Sequence, residues 1–315
     1  MAQPRAGDGF TYAGNKDGVV IATPDRALAV LNPADGAVRT RTPFPDGGFH
    51  GVHATATLGL AHVGERVLLA PLDTTSPPIA LTVPPGSEVS TTGDAVLITA
   101  PGDTAMIADR DGTHGVPLPP GTHALAADGD TVIAATPAGP WWRARTTGAP
   151  PVQVTPTPPR PDARVRSVTA AGHDRVLVLW SGPESSTTTT ALHDAKTGAV
   201  ILAAQVPSTE LTGAYLLWDG GPVAGFGPLV LDMRTGRHVV VPTFRAASIR
   251  GTTVFGHLRS GQSRTAVGVD TNDLQAPPRP LGPSTPLPWA DAKGRALVGD
   301  LDTDGVFRIY ALDPA

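Results

Sequence analysis

The chain has 315 residues and a formal net charge of −4, which gives no reason to expect nucleic acid as a partner, because proteins that bind it usually carry a basic face. It contains no cysteine, which excludes disulfides, thiolate metal sites and cysteine nucleophiles. No apolar run approaches the roughly 18 residues that a membrane-spanning helix requires.

Short strands separated by glycine and proline run along the whole chain. Apolar, β-branched runs between such residues favour strands, and we predict second strands of successive units at 19–21, 96–98, 132–134, 176–180, 254–255 and 296–298. The unit at 49–85 is less regular, since 58–60 and 67–69 both fit a second strand. The clearest unit, at 166–206, contains predicted strands at 167–170, 176–180, 187–193 and from residue 199. No stretch shows helical periodicity over several turns.

A five-residue turn recurs between these strands. The segment DAKTG at 194–198 returns as DMRTG at 232–236. Weaker copies begin at Asn32, Asp73, Asp109, Ala144 and Asp270, and a further copy begins at Asp313. The first side chain can accept hydrogen bonds from backbone N–H groups two or three residues on, and glycine allows positive φ at the end. We therefore predict a structural role for this turn.

The turns recur about every 40 residues, a period typical of ring-shaped repeat folds. Four strands in each unit predict an all-β fold, a single β-propeller domain of about eight four-stranded blades over residues 1–315. Seven blades would follow if the irregular second unit were misread. The last unit ends after its third strand at 306–312, and we expect residues before Phe10 to supply the fourth and close the ring. The proline-rich segment 150–161 is predicted to be a long loop between blades.

Two of the turns carry a resemblance to a known family. Residues 191–200 resemble the A-x-D-x-x-T-G repeat of quinoprotein alcohol dehydrogenase-like propellers, with His193 as one extra residue, and 231–236 match it as well. The resemblance implies a quinoprotein-like or WD40-like propeller of seven or eight blades. It does not imply quinone chemistry, because the tryptophan that usually follows the glycine and the cysteine pair of the dehydrogenases are both missing. We expect no PQQ and no other cofactor.

Origin and location are also expectations from composition. Lysine occurs only at Lys16, Lys196 and Lys293, beside many arginines and much Ala, Pro, Gly and Thr, which favours a bacterial, actinobacterial source. The first residues contain no apolar signal-peptide core. Threonine- and proline-rich loops nevertheless favour a secreted, extracytoplasmic or cell-surface protein, with a cytoplasmic one as the alternative.

Propeller geometry narrows the search for a site. First strands line the central channel, and they begin on the same face as the loops between second and third strands; we call it the channel face. The recurring turns lie on the opposite face, which we call the turn face. Channel mouths commonly hold ligands. Residues predicted to enter first strands are His50, His53, Glu88, His123, Arg166, Thr212, Arg250 and Trp289.

These residues give two sets of candidates. An acid–base or metal cluster of His50, Glu88 and His123, with Arg166, could support catalysis with a divalent metal. His53, Trp289 and the Trp141–Trp142 pair could bind a ligand. The alternative is that the polar groups only contact water and that one tryptophan packs between blades. Segment 300–305 resembles the start of a calcium loop but lacks the later glutamate, so we predict a hairpin there.

The sequence indicates the function of the protein only in general terms. The absence of a strong catalytic motif favours a non-enzymatic, ligand- or protein-binding scaffold, expected to be a monomer. Its partner would be a small molecule or a protein. The alternative is a channel-mouth enzyme, lyase- or cyclase-like and possibly metal-assisted, in secondary metabolism. Fold analogy alone decides neither.

Overall fold

The computed structural model describes residues 12–15, 17–23, 25–102, 104–181, 186–218, 220–261, 263–282, 286–288, 290–292, 295–301 and 307–312. Their strands form eight antiparallel sheets, each built from strands consecutive in the chain. The all-β propeller prediction is confirmed, and we number the sheets as blades 1 to 8.

The first four blades have four strands each. Blade 1 contains β1 (Tyr12–Gly14), β2 (Val19–Thr23), β3 (Ala27–Leu31) and β4 (Val38–Pro43). Blade 2 contains β5 (Phe49–Ala54), β6 (Leu58–Val63), β7 (Arg66–Pro71) and β8 (Ile79–Thr82). Blade 3 contains β9 (Glu88–Ser90), β10 (Val96–Ala100), β11 (Thr104–Asp109) and β12 (Gly112–Val116). Blade 4 contains β13 (His123–Asp128), β14 (Thr131–Ala135), β15 (Trp141–Arg145) and β16 (Val152–Val154).

The second half of the chain continues this order. Blade 5 contains β17 (Val165–Gly172), β18 (Arg175–Ser181), β19 (Thr187–Asp194) and β20 (Val200–Pro207), followed by a 3₁₀ helix (Ser208–Leu211). Blade 6 contains β21 (Leu216–Leu217), β22 (Val223–Phe226), β23 (Leu229–Asp232) and β24 (His238–Val240). Blade 7 contains β25 (Phe244–Arg250), β26 (Thr253–Ser260), β27 (Ser263–Asp270), a 3₁₀ turn (Thr271–Asp273) and β28 (Arg279–Pro280). Blade 8 contains β29 (Ala290–Ala292), β30 (Arg295–Leu301) and β31 (Phe307–Leu312).

Two details of the sequence prediction are now resolved. In blade 2 the segment 58–60 belongs to the second strand, β6, and 67–69 belongs to the third, β7. Among the described residues blade 8 has three strands. The fourth strand expected from residues before Phe10 lies outside the part of the chain that the structure describes.

The core lies between blades rather than inside any one of them. Six clusters of buried apolar side chains lie between successive blades, the first between blades 1 and 2 and the last between blades 6 and 7. A seventh cluster joins Val19 and Leu297 with Ile21, Leu31 and Ile309. Because these residues come from the first and last blades, this cluster closes the ring.

The recurring turn has the predicted structure. In five units the first side chain accepts a hydrogen bond from the backbone N–H two residues on, at Asn32, Asp109, Asp194, Asp232 and Asp270. All five lie between the third and fourth strands. At Asp194 the same oxygen also accepts bonds from the Thr197 amide and hydroxyl, so the carboxylate serves the turn itself.

Inner turns of neighbouring blades are also bonded to one another on the turn face. Asp128 of blade 4 accepts hydrogen bonds from the His173 and Asp174 amides of blade 5, at 2.8 and 3.0 Å. Those two residues have φ of 52° and 57°, an uncommon conformation for non-glycine residues. The Asp94 carboxylate of blade 3 likewise accepts from the Gly129 amide of blade 4, at 2.6 Å.

The inner turn of blade 3 reaches further than the others. Gly93 forms a parallel bridge with Ala127 of blade 4. A Cβ atom added at Gly172 of blade 5 would lie only 3.1 Å from the Gly93 amide nitrogen. This turn therefore contacts the inner turns of the next two blades.

Candidate functional site

An aromatic group of side chains projects at the channel-face end of blade 2. The Phe44 and Phe49 rings stack with centroids 5.5 Å apart, and Phe49 is 41% exposed. The His50 and His62 rings lie 4.4 Å apart, and His53 follows on the same strand as His50. We call Phe44, Phe49, His50, His53 and His62 the blade 2 rim.

Two hydrogen bonds to backbone carbonyls hold the loop that carries the rim. The Gly64 amide donates to the Gly48 carbonyl at 2.7 Å, and Arg26 donates to the Gly47 carbonyl at 3.0 Å. The register of β5 against β6 shifts between Phe49 and Gly51. Such a bulge changes the direction of the side chains beside it, and here it accompanies the approach of His50 to His62.

Burial controls the charge of two rim histidines. It lowers the pKa of His53 to about 4, and repulsion from His62 acts in the same direction. Burial also lowers the pKa of His62, helped by His50 and opposed by a hydrogen bond with the Gly64 backbone. Both imidazoles are therefore uncharged at neutral pH, and the rim is mainly an apolar, aromatic surface.

The predicted acid–base residues occupy channel-face positions on separate blades. Glu88 is the first residue of β9 and His123 the first residue of β13, and both are exposed. Within the described ranges no three His, Asp or Glu side chains are placed to hold a metal ion. His50, Glu88 and His123 therefore do not form such a group in this structure.

Arg166 makes its contacts within its own blade. Its guanidinium donates to the Thr188 hydroxyl at 3.2 Å, and that hydroxyl lies 2.9 Å from the Ser208 hydroxyl. Thr188 is buried in the third strand of blade 5. This chain of polar groups ties β17 to β19 and to the start of the 3₁₀ helix.

The two adjacent tryptophans have different environments. Trp141 is fully buried, and its indole N–H donates to the Ala195 carbonyl of blade 5 at 2.9 Å. Its ring thus joins blades 4 and 5 and is not exposed for a ligand. Trp142 is half-buried. Trp289, the remaining predicted ligand-binding residue, lies outside the described residues.

The extra residue in the family-like repeat helps to form this joint. His193 lies where the register of β19 against β20 shifts, and its ring is fully buried. Trp180 donates its indole N–H to His193 Nε2 at 3.1 Å, and His193 Nδ1 lies 3.0 Å from the Gly198 carbonyl. Because Nε2 accepts, Nδ1 carries the proton and donates. His193 therefore connects the blade core to the recurring turn.

The two remaining predicted positions are Arg250 and the segment 300–305. Arg250 does not lie where a first strand begins: it is the last residue of β25, the first strand of blade 7, and pairs with Thr253. It therefore lies toward the turn face. Of the segment 300–305, which was predicted to form a hairpin, 302–305 lies outside the described residues.

Four charged or aromatic side chains on the channel face were not predicted from the sequence. His62 was hidden in an apolar segment of β6. Arg245 of β25 bonds the Glu210 carbonyl and lies 3.9 Å from its carboxylate. Arg259 and Arg264 lie on either side of the β26–β27 hairpin. A correct strand register would have been needed to place any of them.

Comparison with known proteins supports the fold alone. No family model matches this sequence, and no curated protein sequence matches it. The computationally designed Ika8 protein is similar over 99% of this chain and 98% of its own, with 14% identity and a TM-score of 0.57. BamB from Moraxella catarrhalis is similar over 99% of both chains, with 12% identity and a TM-score of 0.50. The C-terminal WD40 domain of Sif2 is similar over 95% of this chain and 90% of its own, with 9% identity and a TM-score of 0.56.

These similarities confirm the fold-level resemblance predicted from the repeats. The chain folds as a β-propeller with WD40 and BamB structures among its neighbours. At identities this low the likeness extends to architecture and not to ligands or reactions. Within the described part of the chain no helix has the length and apolar character needed to cross a membrane.

Proposed function

We propose that this protein is a non-enzymatic binding propeller that recognises a protein or small-molecule ligand through the blade 2 rim. The observation that carries the proposal is the stack of Phe44 with the exposed Phe49, together with the close, tilted pair of His50 and the buried His62. Aromatic side chains are enriched at binding surfaces because they bury large areas and lose little conformational freedom.

The position and charge of the rim support this proposal. The rim lies on the channel face, where propeller pockets open. The half-buried His53 and the buried His62 are uncharged at neutral pH, so a ligand that packs on the exposed part of the rim does not desolvate a cation at these two positions. An extracytoplasmic bacterial location is part of the same proposal and rests on composition alone.

Peptide selection provides a direct test. The purified protein would be used to select binders from a displayed peptide library, and the enriched peptides would be measured by fluorescence anisotropy. We expect enrichment of aromatic residues and a loss of affinity of about tenfold or more in the double variant Phe49→Ser/His50→Ser, because truncating a central aromatic contact commonly costs more than 1 kcal/mol.

A matched variant separates the rim from general surface effects. Val38→Ser/His238→Ser also removes one exposed apolar side chain and one exposed histidine, but on outer strands of blades 1 and 6. The affinity of this control for the selected peptides should lie within about twofold of that of the unmodified protein. Thermal unfolding would first show that both variants are folded. Equal peptide affinity of the rim variant and the control would then contradict the proposal.

A further inference from the structure

The β26–β27 hairpin of blade 7 places two arginines directly opposite each other. Arg259 pairs with Arg264 across the hairpin, at the channel-face ends of the two strands. Both side chains are exposed. Directly paired residues project from the same side of a sheet, so the two guanidinium groups share one surface.

His257 lies on that surface as well. It is two residues before Arg259 on β26, and alternate residues of a strand project to the same side. Burial lowers its pKa, and the charges of Arg264 and Arg259 lower it further. The strand register thus places all three side chains on one side of the hairpin.

The two guanidinium groups form no ion pair with a described side chain. Arg245, opposite His257 on β25, is paired with Glu210, whereas neither Arg259 nor Arg264 forms an ion pair with any described side chain. Residues 244–280 contain five arginines and two aspartates, with no lysine or glutamate, so this segment has a formal charge of +3. The whole chain has a net charge of −4. Positive charge is thus concentrated in one blade of an acidic protein.

Such an arrangement opposes folding unless something compensates for it. Like charges directly opposite on a sheet are destabilising. A bound anion would offset this repulsion by lying between the two positive charges.

We propose that Arg259 and Arg264, with His257 beside them, form a binding site for a doubly charged tetrahedral oxyanion of the phosphate class. Guanidinium groups bind such oxyanions through paired, charge-assisted hydrogen bonds. A phosphate monoester on a ligand and free inorganic phosphate present the same group. The site lies in blade 7, apart from the blade 2 rim, and does not depend on the proposed function of that rim.

Titration with simple anions tests the site. Sulfate, phosphate and succinate would each be added at constant ionic strength to the intact protein, and binding would be followed by calorimetry and by the thermal midpoint of unfolding. We expect sulfate and phosphate to bind and to raise the midpoint, and the double variant Arg259→Gln/Arg264→Gln to lose about tenfold or more in affinity. Phenyl phosphate compared with inorganic phosphate distinguishes an esterified ligand from the free ion.

The control variant is Arg110→Gln/Arg237→Gln, which removes the same charge from two exposed positions in the turns of blades 3 and 6. It should keep its affinity for sulfate. In anion-free buffer the Arg259/Arg264 variant should unfold at the same temperature as the unmodified protein or higher, because repulsion has been removed. A lower midpoint would show that the arginines are paired within the fold and would overturn the proposal. So would equal sulfate binding by all variants, or binding of succinate without sulfate and phosphate.

Discussion

The rim histidine His53 makes the stability of the protein depend on pH. Its pKa is about 4 in the folded state, chiefly through burial, against 6.5 for an ordinary histidine. A depressed pKa means that the unfolded chain binds more protons between these values, so stability is present above about pH 6.5 and is lost as the pH falls toward 4. Between pH 7 and pH 4.5 this single group should remove about 2 kcal/mol from the free energy of unfolding.

Urea unfolding at a series of pH values measures this loss. Carboxylates also titrate in this range, so the informative quantity is the difference between the unmodified protein and His53→Gln, which has no proton to gain. Over the same pH interval, the free energy of unfolding of the variant should fall by about 2 kcal/mol less than that of the unmodified protein. His238→Gln, at an exposed position on β24, is the control and should follow the unmodified protein. Parallel pH curves for the unmodified protein and His53→Gln would refute the reasoning, because they would mean that the imidazole is protonated equally in both states.

Three further substitutions test the contacts between blades by urea unfolding. Gly93→Ala should lower the free energy of unfolding by more than about 2 kcal/mol, because the added Cβ would lie 2.2 Å from a carbonyl oxygen of blade 4. The control Gly121→Ala, also at positive φ but in open space, should lower it by only about 1 kcal/mol. Equal losses in the two variants would exclude the clash. Asp128→Ala should cost about 1–3 kcal/mol, because two backbone amides of blade 5 lose their acceptor. Trp141→Phe should cost about 1–3 kcal/mol from one hydrogen bond and a small cavity, and an unchanged midpoint would contradict its role as a joint.

The repeat could be predicted from sequence because its turn chemistry is local. Asp194 bonds to residues two and three positions away, so the signal lies within one short segment. The first strand of blade 7 was harder to place, because the segment 244–250 mixes polar and small residues and lacks the continuous apolar character of second strands. The sequence therefore predicts the wrong end of this strand for Arg250.

The groups on the channel face could not be predicted in the same way. The approach of His62 to His50 depends on a register shift in β5, which no short-range pattern encodes. The pairing of Arg259 with Arg264 likewise depends on where the β26–β27 hairpin turns. Period-two alternation gives the side of a sheet on which a residue lies, but tertiary pairing decides which side chains meet.

The two faces differ in what a ligand would have to displace. On the turn face the carboxylates of Asp94, Asp128 and Asp194 already accept backbone hydrogen bonds, and each such bond contributes about 0.5–1.5 kcal/mol to folding. A ligand that competed for Asp94 or Asp128 would weaken contacts between blades, and one that competed for Asp194 would weaken the recurring turn. On the channel face Phe49 is exposed and the Arg259 guanidinium forms no ion pair with a described side chain, so binding there removes apolar surface from water or neutralises charge without breaking the fold. Recognition on the channel face is therefore compatible with a ring that the turn face holds together, and this separation is the physical reason to look for the ligand away from the repeated turn.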